Sequence, residues 1–64
     1  MSVFKITGSI DGIPHAQVAI VARDARDAVH QFKTSIGGAV VTRVDCLGKA
    51  SKKAQWGDQV HYEQ

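Results

Sequence analysis

The side chains best suited to catalysis or metal binding are few in this chain of 64 residues, and they are widely spaced. None of His15, His30 and His61 forms a metal pair one helical turn apart, and a zinc site needs about four ligands, or three and a water. The only thiol, Cys46, is predicted to be a small buried side chain, because reactive thiols need exposure and an electropositive neighbourhood. We therefore expect no metal, no cofactor and no catalytic residue, and we predict that the chain is not an enzyme.

The composition describes one small globular domain, with 44% hydrophobic and 22% charged residues. Eight Lys and Arg against six acids give a net charge of +2, too low for the clear basic stripe of a compact nucleic-acid binder. No apolar run approaches the roughly 20 residues that cross a bilayer, and the first residues lack the apolar stretch of a secretory signal. A single cysteine fits a reducing compartment, so we expect a cytoplasmic protein with no membrane partner.

Two strands joined by a tight turn are predicted at the start of the chain. Apolar and polar residues alternate over residues 3–10, with Phe4 and Ile6 on one face, as in a half-buried strand. Asp11-Gly12 is a strong hairpin signal, because Gly tolerates the positive φ of a tight turn. Residues 15–22 form the second strand. The side chains predicted to share the face of Phe4 and Ile6 are Ala16, Val18, Ile20 and Ala22. Those predicted to point outward are His15, Gln17, Ala19 and Val21.

The stretch ARDARDAVHQF, residues 22–32, is predicted to open a helix. Asp24 is a good N-cap, and Asp27 follows at the spacing of a capping box. Gly37-Gly38 is predicted to end the helix. The apolar stripe and the solvated side fall on two sets of positions: Ala25, Ala28, Val29, Phe32 and Ile36 against Arg26, His30, Gln31, Lys33 and Thr34.

Residues 39–47 are predicted to form a third strand, with Val40, Val44 and Cys46 toward the helix. The outward residues are Val41, Arg43, Asp45 and Leu47. The fold class is therefore α+β: a three-stranded antiparallel sheet in the order 2-1-3, built as strand-strand-helix-strand on one helix. Residues 1–48 form this core domain. Residues 49–64 form a basic, aromatic tail, or a second hairpin in which KKAQW pairs with QVHYE around Gly57-Asp58.

One helix covers only one face of such a sheet, so we expect the other face to be covered either by the C-terminal tail or by another molecule. We expect a non-enzymatic binding protein that docks on and blocks a protein or nucleoprotein partner, or that forms a homodimer. Valines would supply burial, and cations would steer encounter with an acidic surface. The expected partner-binding residues are Lys5, Gln17, Val21, Val41, Arg43, Lys49, Lys52, Lys53 and Trp56.

A nucleic-acid-binding accessory protein is the alternative. The lysines from Lys49 to Lys53 could track phosphates, and Trp56 could stack on a base. Such a run more often marks a solvated strand end whose lysines keep an exposed edge from pairing. The outward sheet face also offers no aromatic for binding single-stranded RNA. An enzyme whose site forms between subunits, lined by Cys46 or His15, is a third interpretation.

The segments AIVARDARDAVHQF and QWGDQVHY carry a resemblance of layout. A strand end before an Ala-rich helix, followed by a short hairpin with an aromatic beside a Gly-Asp turn, resembles small phage or mobile-element proteins such as anti-CRISPR inhibitors of type I systems. The resemblance covers most of the chain as a pattern, and it assigns no role to any single residue. It implies a protein that binds and blocks a larger machine.

Overall fold

A computed structural model describes residues 1–61 of the chain. Its elements are β1 (Ser2–Ile10), β2 (Ile13–Ala22), α1 (Ala25–Ser35), β3 (Val40–Lys49) and β4 (Gln59–His61). The four strands form one antiparallel sheet in the order β3-β1-β2-β4. The predicted α+β fold and the 2-1-3 order of its first three strands are confirmed, and β4 extends the sheet beyond β2.

The predicted hairpin between β1 and β2 is confirmed at Asp11-Gly12. Ile10 pairs with Ile13 across a two-residue turn. The φ angles of 50° at Asp11 and 79° at Gly12 are those of a type I′ turn, whose twist matches that of the flanking strands. The register then shifts between Gly8 and Ile10, so the hairpin end of the sheet contains a bulge.

The core lies between the sheet and α1. One face of the sheet contributes alternate apolar side chains of β1 and β2, and Phe32 of the helix inserts against them with no exposed surface. This arrangement confirms the predicted inward faces of both strands. The buried cluster consists of Phe4, Ile6, Val18, Ile20, Ala22, Ala28 and Phe32.

The helix begins where the sequence predicts. Asp24 is the N-cap, and its Oδ1 accepts a hydrogen bond from the backbone N–H of Asp27 at 2.8 Å. The carboxylate of Asp27 accepts in return from the N–H of Arg23 at 3.1 Å, one residue before the usual capping-box position. The helix ends at Ser35, just before the predicted glycine pair. No helix among residues 1–61 has the length and apolar character needed to cross a membrane.

The orientation predicted for the first two residues of β3 is wrong. The register between β1 and β3 shifts between Thr7 and Gly8, so that Gly8 pairs with Val41. Val41 therefore packs against the core, whereas Val40 is 59% exposed. The strands approach so closely at the bulge that a Cβ on Gly8 would collide with the Val40 carbonyl oxygen. An extra residue in one strand turns every side chain beyond it to the other face.

Cys46 also differs from its prediction. It lies opposite Phe4, on the helix side of the sheet as expected, yet it is exposed rather than buried. Its strand is the outermost one next to β1, so the packing around it is incomplete. Val44, two residues earlier on the same face, packs against the core as predicted.

The predicted pairing of KKAQW with QVHYE is not present in the described residues. The segment 50–58 instead passes the end of the sheet and reaches the outer edge of β2, where Gly57 donates to the Val21 carbonyl at 2.9 Å. The N–H of Val21 donates to the Asp58 carbonyl at 3.0 Å, and β4 continues this pairing along β2. Residues 62–64 lie outside the described residues. Pairing with β2 is favoured because the N–H and C=O groups on its outer edge need hydrogen-bond partners.

Candidate binding site on the open sheet face

The side of the sheet opposite α1, called the open face here, is built by strand alternation. Successive side chains of a strand point to opposite sides, so residues between the core positions of β1 emerge here. Lys5 lies between Ala19 of β2 and Asp45 of β3. Thr7 lies between Gln17 and Arg43 in the next row. The sheet thus gathers residues that are far apart in sequence into two adjacent rows.

A hollow of about 420 Å³ lies over these rows. Its lining is polar and includes two cations, one carboxylate and an imidazole. The lining residues are Lys5, Thr7, His15, Gln17, Thr42, Arg43 and Asp45.

The charges of the hollow are only partly compensated. The Nε of Arg43 lies 3.0 Å from the carboxylate of Asp45, and the Arg43 side chain remains 73% exposed. Its other guanidinium nitrogens can therefore still donate to a ligand. Lys5 forms no ion pair within residues 1–61. Two cations against one anion leave the hollow with an excess of positive charge.

The floor of the hollow contains a buried hydroxyl. Thr42 Oγ1 donates to the Thr7 carbonyl at 3.1 Å, which holds the bulge of β3 against β1. Thr7 Oγ1 is buried and has no hydrogen-bond partner within the described residues. The isolation of this buried hydroxyl costs free energy.

His15 occupies a strained position at the rim. Its φ is 59°, in the left-handed region, at the bulge where β2 leaves the hairpin. This conformation costs a non-glycine residue roughly 1–2 kcal/mol. Strained residues held in place by surrounding structure are concentrated at functional sites, which adds weight to this end of the open face.

The structure brings together three of the predicted partner-binding residues: Lys5, Gln17 and Arg43 all line the hollow. Val21 lies on the same face but is only 6% exposed, and neighbouring Ala19 is 3% exposed. The prediction that Val21 supplies burial to a partner is therefore wrong, since the chain already covers it. Val41 is on the opposite face because of the β3 bulge, so its predicted place in this surface is also wrong.

The basic residues of the C-terminal segment lie apart from the hollow. Lys49 pairs in register with Ser2 at the far end of β3. Lys52 and Lys53 are exposed in a turn that follows it. They form a separate cationic group at the end of the sheet, which we call the lysine turn (Lys49, Lys52 and Lys53).

Trp56 is hydrogen-bonded to a side chain of α1. Its Nε1 donates to the Asp27 carboxylate at 2.8 Å, and the ring remains 50% exposed. The N–H of Arg23 and then the Trp56 indole hold the pKa of Asp27 below its ordinary value. Trp56 therefore belongs to the helix side of the molecule and not to the open face.

Gln31 was predicted to be solvated, but it is 7% exposed. Its Nε2 donates to the Val21 carbonyl at 3.3 Å, and a Cβ on Gly57 would lie 3.2 Å from its Oε1. The helical period could not reveal this burial, because the C-terminal segment supplies the covering atoms.

Several lining residues were not among those predicted to bind a partner. Strand alternation already placed Thr7, His15 and Asp45 on this face, and that signal could have included them. Thr42 carried no signal, because its place depends on the bulge. Cys46 lies opposite Phe4 on the helix side, whereas His15 lines the hollow on the open face, so the two do not form a nucleophile and base pair within one chain. Among residues 1–61, no three His, Cys, Asp or Glu side chains are placed to hold a metal ion.

Comparisons with protein-family models, with curated proteins and with solved structures give no match to this chain. The interpretation of the open face therefore depends on its own geometry.

Proposed function

We propose that this chain is a non-enzymatic binding protein that docks its open face on an acidic surface of a protein partner. The observation that carries the proposal is the polar hollow, in which Lys5 and Arg43 outnumber the single carboxylate of Asp45. A carboxylate side chain of the partner would enter between the ammonium and the guanidinium. Such charge-assisted hydrogen bonds are roughly twice as strong as neutral ones.

The burial of Ala19 and Val21 supports a polar mode of recognition. Since these apolar side chains are already covered, docking gains little from hydrophobic area and depends on charge and hydrogen bonds. Complementary charges mainly raise the association rate and select the partner. The resemblance to anti-CRISPR inhibitors adds the prediction that docking blocks a larger machine, and this part stays a prediction.

A nucleic-acid function is the second candidate, and one observation favours it. The lysine turn is exposed and has three cations within five residues. The position of Trp56 opposes it, because the Asp27 carboxylate that accepts from its indole would repel a phosphate chain beside the ring. We therefore rank docking on an acidic protein first.

A titration with two probes separates the candidates. Isotope-labelled protein is titrated with an oligoglutamate peptide and, separately, with a short DNA duplex, and amide chemical shifts are followed by NMR. The first candidate predicts peptide-induced shifts at Lys5, Thr7, Gln17 and Arg43. The second predicts DNA-induced shifts at the lysine turn, with affinity falling steeply as salt rises.

A charge-reversal pair tests the role of the hollow. Lys5→Glu should weaken oligoglutamate binding by about tenfold, since it replaces an attraction by a repulsion at the contact. Lys33→Glu makes the same change of net charge on the exposed side of α1 and should leave the affinity nearly unchanged. Equal losses in the two variants would mean that only net charge matters, and the open face would be ruled out as the site.

A further inference from the structure

The outer edge of β3 is the longest free strand edge in the described part of the chain. β3 has ten residues and pairs with β1 on one side, and no strand within residues 1–61 pairs with its other side. The unpaired N–H and C=O groups of such an edge are a template for another strand. By contrast, β4 partly covers the outer edge of β2.

The charges on β3 are complementary to those of a second copy. Arg43 and Asp45 project from the same face, with Val44 between them on the other. In an antiparallel pair centred on Val44, Arg43 of each copy lies opposite Asp45 of the other. Opposite charges facing each other across strands stabilise a pair, and like charges destabilise it.

Neighbouring registers are selected against by the same charges. A pair centred on Arg43 would place two guanidinium groups opposite each other, and a pair centred on Asp45 would do the same with two carboxylates. In a register shifted by one residue, side chains that point to opposite faces of the sheet would lie opposite each other, and the pleat of the strands does not allow this. The register centred on Val44 also continues a row of alternating charge, because Asp45 already lies opposite Lys5.

Two bulges limit the contact. The register shifts at Thr7/Gly8 and at Val3/Phe4, so β3 is regular only over the four residues that pair with Phe4 to Thr7. Bulges at edges shorten the stretch available for pairing. Val40 and Leu47, which are 59% and 46% exposed, flank this stretch and add apolar surface. A short contact of this kind implies a weak dimer that forms as concentration rises.

We propose that the chain forms a symmetric homodimer by pairing β3 with β3 of a second copy, centred on Val44. The two four-stranded sheets then join into one. Residues that face each other in an antiparallel pair share a side of the sheet, so the two open faces point the same way and their hollows lie on one surface. The inference stands apart from the proposed function, because no ligand or partner enters the argument.

Sedimentation or light scattering over a concentration series tests the proposal on the full chain. The mass should rise from 6.9 kDa toward twice that value. Arg43→Asp should raise the dissociation constant about tenfold or more, because two attractive pairs become repulsive. Asp45→Arg should do the same. Arg26→Asp, the same charge change on the exposed surface of α1, is the control and should dimerise like the unchanged protein.

Mixing the two weakened variants is the decisive step. Arg43→Asp carries acids at positions 43 and 45, and Asp45→Arg carries bases at both, so the mixture should form a heterodimer although neither variant alone forms a stable homodimer. Circular dichroism verifies that both variants fold. A chain that stays at 6.9 kDa up to ~1 mM, the range of weak association, would overturn the proposal. So would a dimer whose mass is insensitive to these substitutions, or a mixture that fails to associate. Since the readout is self-association alone, its failure leaves the oligoglutamate titration unaffected.

Discussion

The two faces of the sheet differ in what their side chains do. On the helix side, Phe4, Ile6 and Phe32 are packed in a continuous apolar core. On the open face, the same strands present Lys5 and Thr7 around a polar hollow. Because strand alternation assigns successive residues to opposite faces, the even positions of β1 supply core side chains and its odd positions supply side chains that line the hollow.

This division teaches that stability and binding can be altered separately in so small a chain. A substitution on the helix side should lower the free energy of unfolding, and a substitution at an exposed position of the open face should change association with little effect on folding. The burial of Ala19 and Val21 is the exception, because there the open face also contributes to stability.

The largest expected effect is on the helix side. Phe32→Ala should lower the free energy of unfolding by about 3–5 kcal/mol, through lost burial and the cavity left behind. Phe32 has no exposed surface, so the loss should be near the upper part of that range. Urea denaturation followed by circular dichroism measures the change.

The control for Phe32 is an open-face valine. Val40 is 59% exposed, so Val40→Ala should change the free energy of unfolding by no more than about 0.5 kcal/mol. If the two substitutions cost the same, the contrast between the faces would be lost, and the core would have to lie elsewhere.

The next effect concerns the bulge of β3 beside Gly8, which decides whether Val40 or Val41 faces the core. Gly8→Ala should cost about 1–3 kcal/mol, because the new methyl group would collide with the Val40 backbone carbonyl, which cannot rotate away. Thermal denaturation measures the loss. NMR shifts of Val40 and Val41 should move with it, since the bulge decides which valine is buried.

Gly37→Ala is the matched glycine substitution. A Cβ there would meet no atom within 4 Å, so the stability should stay the same or rise slightly through a smaller loss of chain entropy. An equal loss at both glycines would show that the close approach of β1 and β3 is not the cause.

The smallest effect concerns the contact between the C-terminal segment and the helix. The folded chain holds the pKa of Asp27 below its ordinary value of 3.8, mainly through the Arg23 N–H and the Trp56 indole. A lowered pKa contributes stability that is present above 3.8 and is lost as pH falls through the lower pKa of the folded chain. Trp56 is the only tryptophan, so its fluorescence should report this change below pH 3.8.

Asp27→Asn provides the comparison. The amide oxygen can still accept from the Trp56 indole, but it does not titrate over this range. The fluorescence change below pH 3.8 should therefore be reduced in the variant. An identical acid transition in both proteins would assign it to another carboxylate.

The sequence alone determined the elements that depend on near neighbours. The alternation of apolar and polar residues predicted the two faces of β1 and β2. Asp11-Gly12 predicted the turn, and Asp24 predicted the start of the helix. In each case the deciding contact lies within about one turn or one strand step, so the residue types and their spacing contain the whole interaction. The gathering of Lys5, Gln17 and Arg43 on one face followed from the same alternation.

The remaining features depend on contacts between segments that are distant in the sequence. The exchange of Val40 and Val41 depends on how closely β3 approaches Gly8, and the burial of Gln31 goes with the path of the C-terminal segment to the β2 edge. These outcomes arise from contacts between segments far apart in the chain. One extra residue in β3 turns a side chain from one face of the sheet to the other, and the strand edge that the C-terminal segment joins decides which side chains it covers. Periodicity within a segment contains no information about which distant atoms will cover it.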